Sequence, residues 1–250
     1  MAGKKIYFIS DFHLGMPNDQ SSREREKRIV QWLESIKTDA AEIYLLGDIF
    51  DFWFEYRYVI PKGFIRLQGK LAELADGGIR IHYFTGNHDM WIFDYLPQEI
   101  GMQLYRHPVI KEIDGKKFFI GHGDGLGPGD HSYKLIKKIF ACRACQRLFA
   151  WVHPRFGMAL AHFWSRKSRI ATGRYDMEYK GDEKEFLTVF AREQLKKHHI
   201  DYFIFGHRHL PLDVPLGNTS RYINLGDWIR FNTYAEWDGQ KLTIKKFIPD

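Results

Sequence analysis

The sequence predicts an α/β protein in which parallel strands are joined by helical crossovers. Three observations carry this. Short apolar runs of buried-strand length recur in the first third of the chain, at residues 6–9, 42–46 and 79–84. Amphipathic stretches of helical period separate them. The resulting order, strand then helix then strand, calls for crossover connections and hence parallel pairing.

The elements follow in chain order. Residues 6–9 form the first strand, which ends in Ser10-Asp11-Phe12-His13-Leu14-Gly15. Residues 22–36 form a helix with Ile29, Trp32, Leu33 and Ile36 on one stripe. The strand at 42–46 stops at Gly47-Asp48, with Asp51 three residues on and the aromatic cluster Phe52-Trp53-Phe54 after it. Pro61 opens a second helix with Ile65, Leu67, Leu71 and Leu74 as core positions, stopped by Gly77-Gly78. The strand at 79–84 ends in Thr85-Gly86-Asn87-His88-Asp89. Residues 109–113 and 117–120 make a hairpin about Asp114-Gly115 that ends in Gly121-His122-Gly123-Asp124. Residues 202–205 end in Gly206-His207-Arg208-His209, and the tail alternates as strands at 222–225, 233–237 and 242–247.

A chain of 250 residues, 44% hydrophobic and 27% charged, has the composition of a globular protein with a sizeable core. It shows no internal repeat and no low-complexity tract. Its start runs at once into a strand, and no apolar run approaches about 18 residues, so no signal peptide or membrane span is predicted. The two cysteines, Cys142 and Cys145, suit a reducing compartment. Cytoplasmic residence is the expectation.

Five apolar runs thus end in carboxylate, imidazole or amide groups. Taken singly, Gly47-Asp48 is an ordinary turn, and Asp11 with His13 is an ordinary polar loop. Together they place hard oxygen and borderline nitrogen donors at the carboxyl ends of strands, where open α/β sheets bind ligands. That donor mixture suits Mn²⁺, Fe²⁺ or Zn²⁺. Asp11, His13, Asp48, Asn87, His122, His207 and His209 suffice for two ions if one carboxylate is shared.

At these blocks the chain resembles the calcineurin-like metallophosphoesterases, whose pattern is DxH, GDxxD, GNH[DE], GHG and GHxH. The resemblance implies a sandwich of two mixed β-sheets flanked by helices. It implies Asp11, His13, Asp48 and His209 around one metal, and Asp48, Asn87, His122 and His207 around the other, with Asp48 bridging. Two such cations would draw a nucleophile from water at neutral pH and neutralise charge on the phosphoryl oxygens. His88 is placed to donate to the phosphoryl group or the leaving oxygen. Asp51 is expected to orient that imidazole and favour its cationic form.

Residues 126–177 are least explained by this core and read as a helical insertion, a lid, within a single domain spanning 1–250. From His131 to Tyr175 there are ten Lys and Arg and no Asp or Glu, against a net charge of +6 for the whole chain. The rest of the chain therefore carries a net −4. Phe140, Leu148, Phe149, Trp151, Phe156, Phe163 and Trp164 share the stretch. Helices are predicted over about 133–152 and 155–166, broken at Pro154. The composition suits a lid for an anionic, partly apolar ligand with affinity for anionic lipid. A helical pair with a solvated basic face is the plain alternative. Nucleic-acid binding is the other, against which the aromatics are too clustered for a stacking platform. The Cys142-Arg143-Ala144-Cys145 pair supplies two ligands where structural zinc takes four, and on a helix it reads as buried thiols.

The insertion sharpens the resemblance. The chain is similar to the UDP-2,3-diacylglucosamine diphosphatases of lipid A synthesis in its Asp-Phe-His-Leu start, in Gly47-Asp48-Ile49-Phe50-Asp51-Phe52-Trp53, in Gly121-His122-Gly123-Asp124 and in a basic insertion opening with Asp130 and Tyr133. That implies hydrolysis of the pyrophosphate of an acylated UDP-sugar with Mn²⁺, by a cytoplasmic protein peripheral on the inner face of the inner membrane. It also implies substrate contacts from Asn87, His88, Asp130, Tyr133, Ser165, Arg169 and His207. The chain departs from that family at His88, where the family carries Arg. Two further readings stand beside it: a metallophosphoesterase for another phosphodiester or nucleotide, and a non-catalytic binding module on the same fold.

Overall fold

Two mixed sheets lie face to face between helices. The computed structural model describes residues 4–16, 19–129, 131–172, 179, 181 and 183–249, with backbone alone at 19, 162, 164 and 166–172. The first sheet has the order β11 (Leu242–Lys246), β10 (Thr233–Trp237), β1 (Lys5–Ile9), β2 (Ala40–Leu45), β3 (Arg80–Phe84), β4 (Gln103–Tyr105). Strands β1 to β4 pair in parallel, and β10 and β11 add an antiparallel edge. The second sheet runs β5 (Val109–Ile113), β6 (Lys116–Ile120), β7 (Tyr202–Phe205), β9 (Ser220–Leu225), β8 (Pro211–Leu216), parallel through β6, β7 and β9.

Strand alternation divides the apolar residues among three cores. Ile6, Phe8, Tyr44, Leu46 and Phe84 of the first sheet meet Phe118, Ile120, Ile204, Ile223 and Leu225 of the second. On the other face of the first sheet, Tyr7, Ile9, Ile43 and Leu45 pack against α1 (Asp19–Ile36) and α2 (Ile65–Asp76) through Ile29, Trp32, Leu33, Leu67, Leu71 and Leu74. Phe203, Phe205 and Tyr222 pack under α7 (Phe186–Leu195). The central strands are covered on both faces, which is why they read as unbroken apolar runs. Each such large side chain stabilises the fold by roughly 1.5–3 kcal/mol.

The second helix differs from expectation. Pro61 does not open it. The chain turns at Phe64, φ 58°, and the helix starts at Ile65, which is 72% exposed rather than core. Its first amides are capped from α1: Glu26 Oε1 accepts from Arg66 N at 2.9 Å and Leu67 N at 3.1 Å. No local sequence signal reveals a cap supplied 40 residues away. The short α3 (Tyr95–Ile100), β4, α7 and β8 are also additions. Pro211 and Pro215 hide β8, which tolerates them because it is an edge strand.

Among the described residues, the stretch read as an insertion holds three helices, not two: α4 (His131–Ala141), α5 (Arg143–Ala150) and α6 (Pro154–Thr172). Pro154 begins α6, where a missing N–H costs nothing. The unexpected break is at Cys142, whose extended backbone (φ −70°, ψ 120°) separates α4 from α5.

Candidate metal centre

The five predicted blocks converge at the carboxyl ends of β1, β2, β3, β6 and β7. Asp11, His13, Asp48, His207 and His209 all have left-handed backbone, with φ of 55°, 45°, 54°, 66° and 50°. Such strain in non-glycine residues collects at functional sites, where the surrounding fold holds it. Two glycines make the crowding possible. A Cβ on Gly86 would strike the Asp48 carboxylate, and one on Gly206 would strike that of Asp11.

The side chains form connected groups. Ligand atoms of Asp11, His13, Asp48 and His209 lie within 4.8 Å of one another, as do those of Asp48, His122 and His207, and those of His13, Asp51 and His88. Asp48 is common to the first two. Its Oδ2 stands 3.7 Å from His13 Nε2 and 3.3 Å from His122 Nε2. Asn87 Oδ1 adjoins the second group, 3.2 Å from His122 Nε2.

The donor chemistry fits cations. His122 Nδ1 lies 2.7 Å from the Leu46 carbonyl, which can only accept, so Nδ1 carries a proton. The neutral ring then turns an Nε2 lone pair toward the oxygens of Asp48 and Asn87. Three acceptors face one point, and only a cation or a proton relieves them. His13 Nε2 and His209 Nε2 likewise face each other at 3.0 Å, with Asp11 Oδ1 3.1 Å from the latter. A carbonyl on the far nitrogen is the usual outer support of a metal-binding histidine.

Without cations, protons fill this role. Burial opposes charge on His13, but hydrogen bonds to Asp11 and Asp51 and the charge of Asp48 raise it to about 10. Burial likewise opposes charge on His122, but Asp48 raises it to about 10. Asp11 and Asp48, despite burial, are held well below the carboxylate range by the neighbouring imidazoles. His207, buried beside charged His122, falls to about 4.

His88 and Asp51 differ from expectation. His88 Nδ1 lies 2.9 Å from the backbone carbonyl of Asp51, whereas the Asp51 carboxylate is 3.7 Å away. That carboxylate accepts from Ser165 Oγ at 3.1 and 3.0 Å. Burial, opposed by Asp48, pushes His88 below its ordinary value. The cationic form is therefore not favoured, because burial outweighs the charges of Asp48 and Asp51 that support it. Ser165, expected at substrate, is buried and ties α6 to Asp51. Tyr133, also expected at substrate, donates to Asp124, with Lys137 Nζ 2.7 Å from the same oxygen. Asp130 and the side chain of Arg169 lie outside the described residues.

Two supports were not foreseen. Asp89 Oδ2 accepts from Ile49 N at 2.8 Å and Tyr83 Oη at 2.5 Å, while its Oδ1 accepts from Gly86 N at 2.7 Å, tying together the loops of Asp48 and Asn87. Its place in the GNHD block was the available signal. Arg208 is gripped by Glu185, and nothing in the sequence links residues 23 apart.

Helices α4 and α5 pack beside these loops. Phe149 meets Phe54 and Trp91 at ring separations of 4.8 Å, and Phe140 meets Trp91 at 5.2 Å. Trp91 Nε1 donates to the Phe140 carbonyl at 2.8 Å. Leu135, Ile139, Leu148, Trp151, Phe156 and Phe163 are left exposed.

A family model described as calcineurin-like phosphoesterase matches residues 4–211. A Porphyromonas gingivalis protein described as UDP-2,3-diacylglucosamine hydrolase is 43% identical over 253 residues, covering 96% of this chain and 97% of that one. Proteins of the same description from Pseudomonas aeruginosa and Neisseria gonorrhoeae are each 28% identical, covering 93% and 92% of this chain and 95% and 91% of theirs.

Proposed function

The chain belongs to the calcineurin-like phosphoesterases, metal-dependent hydrolases, and from that premise we propose that it hydrolyses the pyrophosphate of UDP-2,3-diacylglucosamine in lipid A biosynthesis, giving UMP and 2,3-diacylglucosamine 1-phosphate. The observation that carries the two-metal chemistry is Asp48, whose one carboxylate belongs to both ligand groups, and the 43% identical relative supports the substrate. Asp11, His13, Asp48 and His209 would hold one divalent ion, and Asp48, Asn87, His122 and His207 the second. Mn²⁺ suits the mixture of carboxylate, amide and imidazole. Bound there, the ions supply a nucleophile from water and neutralise phosphoryl charge.

The protein's own groups do the rest. With Nδ1–H given to the Asp51 carbonyl, neutral His88 presents Nε2 as an acceptor. An incoming pyrophosphate raises its proton affinity, and the protonated Nε2 then donates to a phosphoryl oxygen. Either product of pyrophosphate cleavage departs as a phosphate monoester, an anion that needs no proton to leave. His88 therefore serves charge stabilisation before acid catalysis.

The insertion supports the acylated substrate. Its exposed aliphatic and aromatic side chains offer apolar surface beside the metal loops, and its Lys and Arg offer charge to phosphate and anionic lipid. No helix of the described residues is long and apolar enough to cross a membrane. Attachment would be peripheral, at the inner face of the inner membrane.

The test is turnover of UDP-2,3-diacylglucosamine in detergent micelles, followed by UMP release. Activity should vanish on chelation and return with Mn²⁺. A metal-loaded protein that hydrolyses simple phosphodiesters but leaves this lipid intact sinks the substrate assignment and retains the phosphoesterase.

A further inference from the structure

The junction of α4 and α5 brings together the chain's two cysteines in a way the helical reading does not anticipate. Cys142 ends the break and is exposed, and Cys145 lies in the first turn of α5, partly exposed. Residues three apart at a helix start lie on one face. The two thiols are close enough to influence each other's ionisation. Among the described residues no His, Asp or Glu joins them in a metal-binding group, and two sulfurs alone fall short of a zinc site.

The two sulfurs are not equivalent. Cys142 is the N-cap of α5 and makes no side-chain cap hydrogen bond, and the N–H groups of Cys145 and Ala144 at that helix start, with the Cys145 thiol, hold it below the usual thiol range. Cys145 is pushed up, first by its bond to Cys142. The better-stabilised thiolate is thus also the exposed one, the combination that makes a thiol reactive.

We propose that Cys142 and Cys145 are an exchange-active dithiol whose partner is a low-molecular-weight disulfide, with Cys142 attacking and Cys145 resolving. The Cys142 thiolate attacks one sulfur of the disulfide, forming a mixed disulfide and releasing one thiolate. Cys145 then attacks the Cys142 sulfur, closes the intramolecular disulfide and releases the second. Two electrons pass from the protein sulfurs to the reagent, and the two protons end on the released thiols. The bond would staple the α4–α5 junction where the Phe140 carbonyl accepts from Trp91 Nε1 at 2.8 Å and from Gln146 Nε2 at 2.9 Å.

The experiment treats reduced, metal-loaded, full-length protein with excess oxidised glutathione, quenches with acid and reads intact mass. Wild type should pass through a singly glutathionylated species and end two hydrogens lighter than the reduced form. Cys145→Ser should stop at the mixed disulfide. Cys142→Ser should be modified roughly three- to tenfold more slowly than Cys145→Ser. Wild type ending with both cysteines glutathionylated, or equal rates in the two variants, overturns the proposal. Both positions are at the surface, so neither serine variant threatens the fold.

Discussion

Glu185 grips Arg208 through two parallel bonds, Nε to Oε2 at 2.9 Å and Nη2 to Oε1 at 2.8 Å, with both side chains buried. Arg208 stands between His207 and His209, whose backbones are both left-handed. The pair therefore fixes the turn that aims two imidazoles, one into each ligand group. A planar two-bond pair sets orientation as well as distance.

Glu185→Gln keeps the shape of this contact and removes its charge. The stranded Arg208 should cost about 3–5 kcal/mol of stability, the usual penalty for breaking a buried pair. In the folded variant, metal affinity should fall by roughly 10- to 100-fold, as for other outer supports of metal ligands. Calorimetric metal titration of wild type and variant decides this. Unchanged affinity in a folded variant would confine the pair to stability alone.

Metal uptake should expel protons. His13 and His122 are raised to about 10 in the metal-free protein, so both are charged at neutral pH and must lose a proton to become ligands. His207, at about 4, is already neutral and contributes none. Titrations in two buffers of different ionisation enthalpy should report release of about two protons per chain at pH 7. Affinity should rise with pH until it levels off near 10. The metal-free fold should show the opposite trend. Stability from these raised histidines is fully present below about 6.5 and fades as pH approaches 10. Stability from depressed Asp11 and Asp48 is present above 3.8 and fades as pH falls below it. No proton release at pH 7 would contradict the charged state of both rings.

His88→Ala should leave metal content near that of wild type, because His88 shares its ligand group with His13 and Asp51 rather than with Asp48. Turnover of a pyrophosphate should fall roughly 10²- to 10³-fold, the loss expected for one donor to developing phosphoryl charge. A diester with a poor alkoxide leaving group should suffer more, since it also needs a proton. Equal losses across leaving groups would assign His88 to charge stabilisation alone. Loss of metal would make it a ligand.

How much of this was legible follows from where the information lies. The ligand blocks were readable because each ends an apolar run, and strand ends in a parallel sheet converge. The two-sheet architecture came through resemblance, since alternation alone does not say which strands share a sheet. Supports that reach across the chain were not readable: the Glu26 cap on α2, the Glu185–Arg208 pair and the Ser165–Asp51 bond join segments with no local mark. The aromatic rings of the insertion were read as one class. Packing divides them, because Phe140 and Phe149 lie against Trp91 while Trp151, Phe156 and Phe163 remain exposed.

That division changes which substitutions test the insertion as a substrate lid. Phe149→Ala removes rings from Phe54 and Trp91, so it should loosen the insertion where it meets the loop after His88. Phe149 is only half-buried, so its loss should cost less than the about 3–5 kcal/mol of a fully buried Phe. Activity should then fall on lipid and on a small phosphodiester alike. Leu148→Ser with Phe163→Ser touches only exposed side chains, 64% and 61% open. It should spare stability and the small substrate, and raise KM for UDP-2,3-diacylglucosamine, because binding shared by ground and transition states appears in KM. Each buried methylene of an acyl chain is worth roughly 0.8 kcal/mol, so losing contact with three should raise KM by roughly fiftyfold. If the exposed pair leaves KM for the lipid unchanged while Phe149→Ala impairs both substrates, the insertion braces the metal loops and does not hold the acyl chains. If the exposed pair impairs both substrates equally, those side chains act on the site itself, and the lid assignment falls with them.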